Sequence, residues 1–227
     1  MRSTAHDPRV RPRARSAEVA RLQALLAPAE SGEPRIAPAR PRELGPLARI
    51  VAVVAGRVIP GGPPNIFTTL GQHPRLFRAW LRYSAHLMPF GKLPRRDAEL
   101  VILRVAWQCR SAYEWHQHVP IALRVGLSPD EIASVADGTS AVADRTSAVA
   151  DRTPADGLTD RQQTLLAVSD QLLAERSLSD TTWSAVQATL GNSEAIELCL
   201  LIGNYQGLAS TIGGLAIQIE EDSGARS

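Results

Sequence analysis

The segment 99–118, ELVILRVAWQCRSAYEWHQH, concentrates side chains able to move protons: Glu99, Tyr113, Glu114, His116 and His118. Ser111, Glu114 and His118 are spaced i, i+3, i+7, which on a helix forms one stripe, because helical neighbours lie three or four residues apart. Trp115 borders that stripe, whereas Tyr113 and His116 point to other faces. A Glu–His pair four residues apart can hydrogen-bond and tune the imidazole. If Glu99, on the preceding antiparallel helix, faces the same space, two carboxyl groups and an imidazole converge. Such a set suits general acid–base catalysis, since neighbouring charges push proton affinities apart.

Plainer readings compete. Glu114 and His118 are also the residue types of a surface ion pair, Tyr113 and Trp115 of core or interface aromatics, and His116 of an exposed or structural histidine. A metal site built from Glu114, His116 and His118 is disfavoured. Side chains two apart on a helix diverge by roughly 200°, as 3.6 residues per turn requires.

The elements that would position these residues read as helices. Residues 95–107 follow Pro94 and carry Asp97 and Glu99 early, as the helix dipole favours, with Leu100, Leu103 and Ala106 towards the core. A second helix spans 111–125 and stops at Gly126. Ser128 and Glu131 form a capping box for a third. Upstream, the apolar run 47–58 reads as a buried helix broken by the prolines and glycines of 60–64. Leu76, Trp80, Tyr83 and Leu87 then recur at helical spacing before the loop 89–94. Downstream, helices are expected over 159–173, after Ser179 or Asp180, and over 194–219. Glycines 203, 207, 213 and 214 in the last allow close packing. No strand pattern of useful length occurs, so the expected fold is all-α and single-domain.

Residues 1–40 read as a flexible Arg/Pro-rich arm containing one short amphipathic helix, with Val19, Leu22 and Leu26 on one face. Residues 41–227 read as the helical domain. Within it SAVADRT at 140–146 recurs at 147–153, after a degenerate copy at 134–139; this is read as a surface insertion near 134–156.

Apolar residues are 44% and the net charge is +2, ordinary for a globular chain and too small to argue for nucleic acid. Binding through the Arg-rich arm would show a steep salt dependence. Cys109 and Cys199 lack CxxC spacing and read as reduced, buried thiols. No membrane span or signal peptide is evident, so a cytoplasmic protein is the expectation.

The stretch LPRRDAELVILRVAWQCRSAYEWHQHVPIALRVGLSPDEI at 93–132 resembles the carboxymuconolactone decarboxylase-like superfamily, in a branch with a Tyr-Glu-Trp-x-x-His signature. PPNIFTTLGQHPRLFRAWL, DQLLAERSLSDTTW and IGNYQGLASTIGGLAIQIE resemble other segments of that family in the same order, so the resemblance covers roughly residues 44–220. The superfamily includes alkyl hydroperoxide reductase D-like peroxidases, whose pattern is Glu, eleven residues, then Cys-x-x-Cys-x-x-x-His. Here Glu99 and His118 match the ends, while Ser111 and Glu114 stand where the cysteines would be. Thiol–disulfide chemistry needs an attacking and a resolving sulfur, so peroxidase activity is not expected.

The resemblance implies a homo-oligomeric helical bundle in which Glu99 and His118 are the proton-transfer pair and Glu114 stands beside them. Ser111, Tyr113 and Trp115 would line the pocket, and Asn65 and Tyr205 would help close it. The function expected is a cofactor-free lyase or cyclase: decarboxylation, dehydration or conjugate addition through an enolate-like state of a carbonyl-bearing small molecule. The alternative is a non-catalytic helical oligomer that binds a ligand or partner at a degenerate site.

Overall fold

The computed structural model describes residues 12–27, 32–58, 62–137 and 158–220. The tandem SAVADRT copies and residues 1–11 lie outside these. The described chain is helical, with no strand: α1 Pro12–Gln23, α2 Pro46–Val58, α3 Asn65–Leu70, α4 Pro74–Leu87, α5 Arg95–Gln108, α6 Ala112–Arg124, α7 Pro129–Asp137, α8 Asp160–Glu175, α9 Asp180–Thr189 and α10 Asn192–Leu215. Short 3₁₀ turns follow α1 (Ala24–Leu26) and precede α2 (Pro41–Glu43).

Helix α5 is the axis, packing against α6, α7, α8 and α10. Every residue from Asp97 to Ala106 is buried, so α5 has no solvent face, the condition expected of a central helix. One core cluster joins Val101, Ile102 and Val105 to Leu165, Leu198 and Leu201; a second joins Leu100, Leu103 and Ala106 to Trp115, Val119 and Ile132. Polar side chains inside this helix are paired: the fully buried Arg104 donates from Nε to Asp170 Oδ1 at 2.6 Å and from Nη1 to the Val135 carbonyl at 2.5 Å.

The helix ends follow local chemistry. Thr159 closes a capping box with Gln162, and Ser179 accepts from the Thr182 N–H. The expected box at α7 forms: Ser128 Oγ accepts from Glu131 N and Glu131 Oε2 from Ser128 N. Gly126, at φ 97°, takes the left-handed conformation that ends α6.

Three expectations need correction. First, the segment of the arm containing α1 is docked. Leu22 and Leu26 are buried with Trp115, whose Nε1 donates to the Leu22 carbonyl at 2.8 Å. Pro120 explains a second tie. A proline has no N–H, so the carbonyl four residues back loses its helical donor. That carbonyl, His116 O, accepts instead from Gln23 Nε2 at 2.8 Å. Second, α2 is only half covered: Ala48 and Ala52 face inward, while Ile50 and Val54 are exposed. Third, Cys109 is half-buried and Cys199 exposed. The helical spacing of Leu76, Trp80, Tyr83 and Leu87 is realised in α4, where Phe77 and Leu87 are buried, Leu76 and Tyr83 are exposed, and Trp80, Leu81 and Ser84 line a cavity.

Candidate active site

The turn between α5 and α6 sets the geometry. Arg110 adopts φ 55°, and Ser111 N donates to the Ala106 carbonyl at 2.8 Å, folding α6 back along α5. Glu99 stands ten residues before Cys109 and His118 nine after it. At 1.5 Å rise per residue they reach nearly the same height, about 15 and about 14 Å from the turn. His118 Nδ1 and Glu99 Oε2 are 2.7 Å apart, with Glu99 fully buried. The other oxygen of Glu99 accepts from Arg95 Nε at 3.1 Å. A carboxylate paired with a guanidinium is an acceptor, so Nδ1 carries the proton in this pair and Nε2 is left for other partners. The Tyr205 ring meets the imidazole edge-on, with centroids 5.3 Å apart at 83°.

His118 lines a cavity of about 340 Å³ between α3, α4, α6 and α10. Its walls are mostly apolar: Ile66, Trp80, Met88, Ile121, Leu208 and Ile212 contribute, with Glu114, Gln117, Asn204 and Tyr205 supplying polar atoms. Glu114 is 2% exposed, and neither of its oxygens has a hydrogen-bond partner. Burial pushes its carboxyl up to about 8; the Ser111 hydroxyl, one turn back, opposes the shift without closing a bond of good geometry. Glu114 is thus a neutral acid at neutral pH, four residues from a histidine whose other side is held by Glu99. Burial, with the Glu99 and Glu114 charges, holds the Tyr205 phenol well above the usual tyrosine range.

One rim of the cavity is tied by Glu220. Its carboxylate accepts from Tyr113 Oη at 2.7 Å, from Asn65 N at 2.5 Å and from Gln117 Nε2. Tyr113 Oη in turn accepts from Ile66 N at 3.1 Å. Desolvation and Glu220 push the Tyr113 phenol well up, so it acts as a fixed wall.

The structure therefore brings Glu99, Glu114, His118, Tyr113 and Tyr205 together and separates three other expected residues. Trp115 points to the opposite side of α6, its ring tilted at 58° to that of Trp107 with centroids 5.4 Å apart in the core. Ser111 is the N-cap position of α6, buried beneath Glu114 and outside the lining. Asn65 spends its amide on the Gln218 carbonyl at 2.9 Å, leaving Pro64 and Ile66 to face the cavity. Gln117 and Ile121 were missed, although they extend the Glu114–His118 stripe at spacings of three and four. Glu220 carries no local signal, since only the return of the chain after α10 brings it to α6. Cys109 lies on a separate, smaller pocket with Gln108, Asp170 and Gln206, and burial raises its thiol to about 11. Among the described residues no group of three or more His, Cys, Asp or Glu could hold a metal ion, and no helix is long and apolar enough to cross a membrane.

A sequence model of the Carboxymuconolactone decarboxylase family matches residues 74–151, which include Glu99, Glu114 and His118. No curated protein matches the chain. Among solved structures, an uncharacterized peroxidase-related protein with an alkylhydroperoxidase AhpD core from Ralstonia eutropha JMP134 aligns at TM-score 0.65 and 17% identity, over 83% of this chain and 93% of that one. The debrominase Bmp8, in complex with 2,3,4-tribromopyrrole, aligns at 0.66 and 17%, over 85% and 95%. A putative antioxidant defence protein AhpD, ATU0492 from Agrobacterium tumefaciens, aligns at 0.53 and 20%, over 64% and 91%. The chain thus has the all-α fold of the carboxymuconolactone decarboxylase and AhpD-like superfamily, as its sequence resemblance implied.

Proposed function

We propose that this protein is a cofactor-free acid–base enzyme, of lyase or cyclase type, that acts on a carbonyl-bearing small molecule. The observation that carries this reading is the 2.7 Å contact between Glu99 and His118 at the wall of an apolar cavity that also holds a protonated Glu114. His118 Nε2 is the base that removes a proton α or vinylogous to the carbonyl. Glu99 holds the imidazole in the tautomer that leaves Nε2 free and stabilises the imidazolium once formed. Glu114 donates to the oxygen on which enolate charge develops. A positioned acid and base of this kind contribute roughly 10²–10⁴-fold in rate. Decarboxylation, dehydration and conjugate addition all pass through such a state, and the apolar walls strengthen each electrostatic contact by excluding water. Apart from size and shape, the walls impose little on the remainder of the substrate. The fold's use by an enzyme of small halogenated rings supports a small organic molecule as ligand. We further propose a homo-oligomer, supported by the exposed Ile196, Leu200 and glycines 203 and 207 along one side of α10.

The test is solvent-deuterium exchange at carbon next to carbonyl, followed by NMR over a panel of ketones, enones and lactones. The wild type is expected to accelerate exchange in members that fit the cavity, and His118→Ala to lower that rate by about 10²-fold or more. Full exchange by the Glu99→Gln, His118→Ala double variant, or exchange of no panel member, would overturn the reading.

A further inference from the structure

The charges around the cavity constrain its ligand. One carboxyl group lines it, Glu114, and two more lie behind lining residues with their oxygens already committed: Glu99 to His118 and Arg95, and Glu220 to Tyr113, Gln117 and Asn65. Among the described residues no Lys or Arg side chain lines it, and the nearby Arg95 guanidinium is hydrogen-bonded to Glu99. An anionic group entering this space would lose its water and meet no cation, the situation in which buried charge is most costly. An ammonium would lose its water against Trp80, Met88, Leu208 and Ile212. The carboxyl of Glu114 and the hydroxyl of Ser84, both on the lining and both buried without a hydrogen-bond partner, are the polar groups that need something from a ligand. Buried polar atoms in native proteins are nearly always satisfied, and what satisfies a protonated carboxyl is an acceptor oxygen.

We infer that the cavity selects an uncharged, mainly apolar molecule carrying one carbonyl-type oxygen, bound by a hydrogen bond from Glu114, and rejects the matching carboxylate. The inference rests on the proposed function for the protonated state of Glu114, and it names the substrate class. The volume of about 340 Å³ suits roughly ten to fifteen non-hydrogen atoms. The chemistry that supplies such a molecule leaves the reacting carbonyl compound unionised, as a ketone, ester or lactone without a free acid, which keeps dehydration and conjugate addition of the three reactions and sets decarboxylation aside, since its substrate is a carboxylate.

Binding, measured without turnover, tests this. Full-length protein at pH 6.5 is titrated calorimetrically with 2-acetonaphthone, 2-naphthoate and 2-naphthylmethylammonium, which share one ring system and differ in charge. The ketone is expected to bind at least about tenfold more tightly than either ion, a difference worth about 1.4 kcal/mol. Leu208→Trp, which fills the cavity, should abolish ketone binding. Glu114→Gln, which keeps an N–H donor, should hold affinity within about threefold, while Glu114→Leu should lose about tenfold or more. Circular dichroism on each variant confirms folding. Equal or tighter binding of the naphthoate or the ammonium, or no binding of any of the three, overturns the inference. If the ketone preference holds while deuterium exchange is unaffected by the Glu99 and His118 substitutions, only the catalytic reading falls. If exchange behaves as expected and the preference is absent, only the charge selectivity falls.

Discussion

Glu99 Oε2 and His118 Nδ1 meet at 2.7 Å across the α5–α6 interface, and the same carboxylate accepts from Arg95. The contact joins residues nineteen positions apart through one sharp turn at Arg110, so its precision depends on two packed helices and not on a flexible loop. Catalytic constellations require that kind of support, since small misplacements cost large factors in rate. Glu99→Ala is expected to leave the imidazole Nδ1–H with no acceptor in a dry site. Unpaired buried donors cost about 1–3 kcal/mol, so urea denaturation should show a loss of that size. Glu99→Gln, which retains an acceptor oxygen, should lose less stability while still lowering turnover. Equal stability of Glu99→Ala and wild type would mean the contact is not formed in solution.

Glu114 makes the pH dependence testable. Burial raises its folded pKa to about 8 from an ordinary 4.5, so between those values the folded protein holds a proton that the unfolded chain has released. The stability this group allows is therefore full below about pH 4.5, declines as pH rises, and is lost above about pH 8. At pH 7 the accumulated cost is about 3 kcal/mol, from 2.5 pH units at about 1.36 kcal/mol each. Glu114→Gln is expected to remove that slope and to be the more stable protein at pH 8. Ser111, His118, Tyr205, Cys109 and Glu99 share the neighbourhood, so the slope must be read as the difference between the two proteins. Activity should also fall as pH rises through about 8, when the acid ionises. A wild-type and Glu114→Gln pair with parallel stability curves from pH 5 to 8 would contradict the burial argument.

The central part of the fold was readable because local signals and packing agree there. The α5 and α6 segments carry their apolar spacing and their glycine stop within a few residues, so Glu99 and His118 are legible as residues of consecutive antiparallel helices, while their facing one another is set by packing. Trp115 and Ser111 were misplaced because a position beside a stripe does not reveal which neighbour covers it. Trp115 faces α1, whose Leu22 and Leu26 lie far from it in sequence and cover it in the fold. Asn65 and Glu220 belong to a contact 155 residues apart in sequence, and no local pattern encodes that. In α4, Trp80, Leu81 and Ser84 surround the cavity, so part of that face is apolar without being core.

The docking of α1 leads to a third expectation. Leu22 is fully buried against the Trp115 side of α6. Leu22→Ala should cost about 2–5 kcal/mol, the range for leucine truncation in a packed core. Gln23→Ala, which strips the His116 carbonyl of the donor that replaces Pro120's missing N–H, should cost about 1 kcal/mol. Thermal melts that leave Leu22→Ala within about 0.5 kcal/mol of wild type would show that residues 16–26 contribute no core, since only surface changes are that mild.

Cysteine chemistry gives a fourth. The Cys109 thiol, raised to about 11 by burial, is scarcely ionised at neutral pH, and the thiolate is the reactive form. Cys109→Ser should leave deuterium exchange and any turnover within about twofold, and the wild type should show no thiol-dependent peroxide reduction. Peroxide turnover abolished by Cys109→Ser would reverse that assignment.

The buried pair of Arg104 and Asp170 supplies the last prediction. Arg104 is fully buried and Asp170 nearly so, joined at 2.6 and 2.9 Å, with Gln108 adding a bond to the same carboxylate at 3.0 Å. Removing one partner strands a desolvated charge, so Asp170→Leu should lose about 3–5 kcal/mol. Removing both charges is different, because their desolvation cost disappears with their attraction. Arg104→Met with Asp170→Leu should therefore recover much of that loss, although the Val135 carbonyl and the Gln108 amide lose partners. The pair lies on the face of α5 towards α7 and α8, away from His118, so the double variant should keep its ketone affinity. Additive losses in the double variant would mean that the two side chains act independently and that the ion pair is not what holds α5 to α8.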